Sequence, residues 1–137
     1  MEDWVKDVIL KWKSEGVELN PPATIFEIEN TETVLSYKFP PDFKALYLYA
    51  NGFASFDMQE HMFSLWSLNA IIEEFKNVYA DSNFIGFCDF LIASHFIGFA
   101  KDRSGIFKHY NYTEKKAIAR TFKELVEMIN SGDKEVY

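Results

Sequence analysis

The chain has 137 residues, of which 48% are hydrophobic and 18% aromatic, and a formal charge of −7. Length and apolar content are those of one domain with a sizeable core, and they exclude a disordered chain. The sign of the charge argues against direct nucleic-acid binding, whose affinity comes largely from neutralising phosphate, and it suits a basic protein partner.

The charge is unevenly spread: residues 1–60 hold eleven acids and five bases, residues 61–137 ten and nine. Fourteen Phe, seven Tyr and three Trp exceed what a core of this size usually needs, so some rings are expected at the surface as partner anchors. The single cysteine, Cys88, allows no intramolecular disulfide and fits a reducing compartment. The opening stretch is charged from Glu2 and lacks the basic start and apolar run of a signal peptide. No apolar run reaches the roughly 18 residues of a membrane span. A cytoplasmic protein without a membrane anchor is expected.

The elements follow in chain order. Trp4, Val5, Val8, Ile9 and Trp12 share one face and predict an amphipathic helix over 3–14, within an N-terminal segment 1–16 ended by Gly16. Thr24 and Glu27 have the spacing of a capping box and open a helix over 24–37. "FPPDFKALYLYANGF", residues 39–53, predicts a helix over 41–51. Proline starts it, Asp42 suits the dipole of its first turn, Phe43, Leu46, Tyr47 and Ala50 form its core stripe, and Asn51-Gly52 ends it. Residues 53–66 read as short strands around a polar turn. Ser67 caps a helix over 67–78. Residues 80–90, "ADSNFIGFCDF", read as a loop. Strands follow at 91–101, 105–112 and 116–120, the first two joined by a "KDRSG" hairpin whose turn uses Gly105 for positive φ. Thr121 and Glu124 suggest a second capping box, before a helix over 121–131 ended by Gly132. The tail "DKEVY" reads as polar and loose. Helices, then strands, then a closing helix predict an α+β fold with a mainly antiparallel sheet and helices packed around it, one domain over 1–137.

Little in the chain points to catalysis. His61, His95 and His109 stand at no metal-ligand spacing, and no second cysteine joins them. Cys88 between Phe87 and Phe90 reads as a small buried hydrophobe rather than an activated thiol. The glycines form neither GxGxxG nor GxxxxGK[ST]. No catalytic residue, cofactor or metal is expected.

A capped helix, a Phe-Pro step, a short helix ending in Asn-Gly, a sheet and a closing helix follow one another here. They read "ATIFEIENTETVLSYKFPPDFKALYLYANGF", "FSLWSLNAIIEEF", "FIGFAKDRSGIFKHYN" and "ARTFKELVEMI". This order resembles the SUKH superfamily, which includes the fungal cell-wall assembly regulators and many bacterial proteins. The resemblance covers about 22–130 and is densest from Phe39-Pro40 to Asn51-Gly52. It implies an α+β fold without catalysis. It also implies a function, since many bacterial members are immunity proteins that bind and neutralise a co-encoded polymorphic toxin, often a nuclease or deaminase. The family motif is scaffold, so no active-site residue carries over.

The expected partner is therefore a cognate toxin, basic in charge, with neither nucleic acid nor membrane bound directly. The alternative is a regulatory adaptor or small-ligand-binding module of the cell-wall-regulator type. Asp57, Glu60, Glu73 and Glu74 are the candidate partner contacts, as turn and helix-face carboxylates between aromatic segments. The acid-rich stretch 1–18 is the other possibility.

Overall fold

The structure is a computed structural model that describes residues 2–54, 57–78, 82–110, 113–114 and 116–137. Its helices are α1 (Asp3–Ser14), α2 (Ile25–Leu35), α3 (Pro41–Tyr47), α4 (Leu68–Asn77) and α5 (Phe122–Ser131). Its strands are β1 (Phe63–Leu65), β2 (Phe84–Phe90), β3 (His95–Ala100), β4 (Arg103–Tyr110) and a two-residue β5 (Thr113–Glu114). The strands pair in sequence order, each antiparallel to the next, in one open sheet. This is the expected α+β class, with each of the five α-helices starting within a residue or so of its predicted place.

Local chemistry accounts for most helix ends. Thr24 Oγ1 accepts from Glu27 N–H at 3.1 Å while the Glu27 carboxylate accepts from Thr24 N–H at 3.0 Å, completing the capping box. At α5 only half of the predicted box forms. Thr121 Oγ1 accepts from Glu124 N–H at 3.1 Å, but the Glu124 carboxylate turns to Arg120 N–H at 3.4 Å. Ser67 caps α4 through Ala70 N–H at 3.2 Å.

The hydrophobic cluster draws buried residues from all five α-helices and from the sheet, and aromatic rings form its centre. Phe43 stacks on Tyr47 with ring centres 4.0 Å apart and on Phe39 at 4.2 Å, and meets the Phe122 edge at 5.0 Å. Phe87 of β2 touches Phe99 at 4.7 Å and Phe122 at 5.2 Å. Phe43, Leu46 and Tyr47 are buried, as are Phe122, Leu125 and Ile129. Outside this centre, Trp12 anchors α1, with its indole N–H on Asn130 Oδ1 at 2.8 Å and its ring against Phe53 at 4.9 Å.

Five expectations need correction. Helix α3 ends at Tyr47 rather than at residue 51, and Asn51-Gly52 takes another role, described below. Residues 84–90, read as part of a loop, are the strand β2, and 91–94, read as the start of the next strand, are the turn that leads into β3. Five successive β2 residues are buried, so the polar alternation that marks a half-exposed strand is missing. The β3–β4 turn is Lys101-Asp102; Gly105 does have positive φ, at 110°, but within β4, where Ala117 and Ala119 crowd its missing side chain. Residues 116–120 form a single bridge, Ala119 to Ile106, rather than a strand. The tail is docked: Val136 is buried and its carbonyl accepts from His95 Nε2–H at 2.7 Å, while Lys108 donates to the Tyr137 carbonyl. Residues 111–112, expected to extend β4, and 79–80 lie outside the described residues.

Truncating Phe43 to Ala removes the ring shared by five aromatic partners and is expected to cost about 3–5 kcal/mol in denaturant melts. A loss below about 1 kcal/mol would contradict its central position. Burial holds the His95 imidazole below its usual pKa, the Val136 carbonyl opposing and the Lys108 charge reinforcing this. Below the ordinary value of 6.5 the unfolded chain therefore binds a proton that the folded chain refuses, and stability falls as pH drops. Between pH 7 and 5.5 the melting temperature of the wild type should fall more steeply than that of His95→Gln. Parallel curves would contradict a buried, neutral His95.

Candidate functional site

A groove of about 850 Å³ opens between the Pro21-Pro22 loop, α4 and the β2–β3 end of the sheet. Its floor is partly aromatic, from Trp66 and Phe96, whose ring centres lie 5.8 Å apart edge to face. Its walls carry four carboxylates: Glu27 of α2, Glu73 and Glu74 of α4, and Asp89 of β2. Among the described residues that line it there is no lysine, arginine or histidine. A second hollow of about 440 Å³ is of mixed charge, with Lys38 and Arg120 beside Asp42.

The helix-and-turn motif that looked like a terminator builds the floor of the groove. Gly52 has φ 70°, and a Cβ there would lie 2.4 Å from the Trp66 carbonyl carbon and oxygen, so only glycine lets the two backbones meet. Asn51 Oδ1 accepts from Leu68 N–H at 2.9 Å, satisfying an open amide in the first turn of α4. Tyr47 donates its hydroxyl proton to the Trp66 carbonyl at 2.6 Å, and Trp66 N–H donates to the Phe87 carbonyl at 2.8 Å. The Trp66 backbone is therefore held from the core side while its indole reaches the groove. On the indole's other side Gly86 leaves space; a Cβ there would lie 3.2 Å from the ring.

Asp89 is placed by two donors, the Trp66 indole N–H at 3.2 Å and Ala93 N–H at 2.8 Å. The second comes from a tip in which Leu91, Ile92 and Ala93 all have positive φ, an arrangement that L-residues adopt at a cost. Glu74 is half-buried and no donor reaches its carboxylate among the described residues; burial and then the Asp89 charge push its pKa up.

The four sequence-predicted residues separate in space. Glu73 and Glu74 line the groove. Asp57 lies outside its lining and accepts from Glu18 N–H at 2.5 Å and Met58 N–H at 3.0 Å. Glu60 is also outside, 3.8 Å from Lys11 Nζ and 3.1 Å from His61 Nε2. Trp66, Asp89 and Phe96 were not singled out from sequence. A lone aspartate in the apolar run "FIGFCDF" was the available signal for Asp89; nothing local marked the two rings.

Cys88 is buried and its thiol pKa is pushed well up, first by burial and then by Asp89. Among the described residues no three His, Cys, Asp or Glu side chains gather as a metal site, and no helix is long and apolar enough to cross a membrane.

An antiparallel sheet wrapped by helices, with an open acidic groove above an aromatic core, is the architecture described so far. Residues 22–128 match the SMI1/KNR4 family (SUKH-1), and the chain belongs to that family, which is generally non-catalytic. The match runs from just before α2 into α5, so α1 lies outside it. No curated protein matches the chain.

In a carboxyl-carbon NMR titration, Glu74 should release its proton above the usual glutamate range. Replacing Asp89 with Asn should move it part of the way back. A Glu74 titration indifferent to Asp89 would contradict their proximity.

Proposed function

We propose that this protein is an immunity protein, which binds a cognate polymorphic toxin domain, a nuclease or deaminase, and neutralises it without chemistry of its own. The observation that carries the reading is the groove: four carboxylates on its walls, aromatic rings in its floor and no cation in its described lining. A nucleic-acid-processing toxin offers the complementary surface, since it must be basic around its substrate. Acidic walls speed encounter, and rings give the docked pair its area and its slow release.

Of the sequence-predicted contacts, Glu73 and Glu74 are available to a partner in the groove. The Asp57 carboxylate is already occupied by backbone amides and Glu60 lies among Lys11 and His61, so both serve the inhibitor's own loops first. Exposed Phe26 and Tyr49 are further anchors; Phe26 lies in the first turn of α2, one residue before the groove-lining Glu27. A cytoplasmic address follows from the same reading, as protection of the producing cell requires it.

Volume alone is also compatible with a small ligand, as an adaptor of the cell-wall-regulator type would hold. Co-expression with the product of the neighbouring gene separates the two. If that product is toxic, this chain should restore growth and co-purify with it. Association should slow as salt rises and slow again in Glu73→Lys/Glu74→Lys, with dissociation less affected. Failure to bind or protect would move the reading to the adaptor.

A further inference from the structure

The groove is more particular than an acidic surface. One of its carboxylates, Asp89, is fixed by the indole N–H and a backbone amide. Another, Glu74, lines the same groove half-buried, with no donor of its own among the described residues. Like charges brought together in a partly desolvated place are unfavourable, and a cation between them removes the cost. The Trp66 and Phe96 rings below supply flat faces and edges at the same spot.

We propose that the groove receives an arginine side chain of the partner, its guanidinium bridging Glu74 and Asp89 and lying against the Trp66 indole. Three features select arginine over lysine. The guanidinium is planar and stacks on an aromatic surface; its donors form a fork that can serve two carboxylates; and it gives up water more readily than an ammonium. Both Asp89 oxygens already accept one protein hydrogen each, which fixes their position and leaves further lone pairs. The ready-made geometry means that little side-chain freedom is lost on binding. The exposed Ile92 at the rim, in the left-handed tip that also presents Ala93 N–H to Asp89, is placed to cover the apolar stem of the incoming side chain.

The inference rests on the reading of this chain as a binder of a basic protein, yet it can be tested without that protein. The full ¹⁵N-labelled chain is titrated with acetyl-Gly-Arg-Gly-amide and with its lysine and citrulline counterparts. Citrulline keeps the shape of arginine and lacks the charge. The arginine peptide should shift the Trp66 indole N–H and the Ala93 amide saturably, lysine should bind at least threefold more weakly, and citrulline should produce no saturable shift. Glu74→Gln, a neutral replacement of the same size, should abolish the saturation while leaving the rest of the spectrum in place. Equal response to all three peptides, equal response to arginine and lysine, or non-saturating shifts spread over the acidic surface would each overturn the proposal. If the cognate toxin binds wild type and Glu74→Gln equally well, the arginine site is wrong and the immunity function stands. If arginine saturates the groove but no toxin is neutralised, the function is wrong and the site stands.

Discussion

One hydrogen bond, from the Tyr47 hydroxyl to the Trp66 carbonyl at 2.6 Å, joins the core of this protein to its groove. Tyr47 is fully buried in the aromatic stack, and burial raises its pKa well above the ordinary value, so the hydroxyl remains a donor. A buried phenol left unpaired is costly, which makes the position of the Trp66 carbonyl a requirement of the core. The Phe87 carbonyl, the Asn51 side chain and the absent side chain of Gly52 then fix the same short segment from other directions. The β1–α4 junction inherits the rigidity of the core, and with it the indole and the first turn of α4.

The two sides of that junction obey opposite rules. On the core side, rings fill space and polar groups are paired: even the buried Glu32 carboxylate accepts from Phe39 N–H at 2.8 Å and lies 3.2 Å from Lys44 Nζ. On the groove side, Glu74 lacks a donor among the described residues and Asp89 adds a like charge. A protein optimised for stability alone would place a lysine there. Unrelieved charge on a rigid support is what the proposed binding site would use. The three left-handed residues at the β2–β3 tip are a second local concession at the same rim.

The helices were legible in the sequence because their signals are local. Thr24, Ser67 and Thr121 cap where their spacing predicted, and the stripe Phe43-Leu46-Tyr47 is buried as its periodicity required. The sheet was less legible because pairing is not local. Strand β2 lies between β1 and β3 with most of its side chains buried, so it carries no alternating signature, and "FIGFCDF" resembled a loop. Asn51-Gly52 was recognised as special and misread as a stop, since its partners, Leu68 N–H and the Trp66 carbonyl, are more than a dozen residues away. The same limit governed the groove. Glu73 and Glu74 follow from a helix face, whereas Asp89 and Trp66 become neighbours only when β1 pairs with β2.

Removing only the Tyr47 hydroxyl tests most directly whether the core holds the groove in place. In Tyr47→Phe the stacked ring is retained and the Trp66 carbonyl loses this donor. Amide exchange and the Trp66 indole N–H signal, followed by NMR in the folded variant, report the outcome. If the hydrogen bond is the tie, Leu68 and Ala70 amides exchange faster and the Trp66 indole signal shifts and broadens, while amides around Phe122 and Leu125 stay protected. An unchanged Trp66 indole with unchanged exchange at the start of α4 would contradict the dependence of the groove on the core.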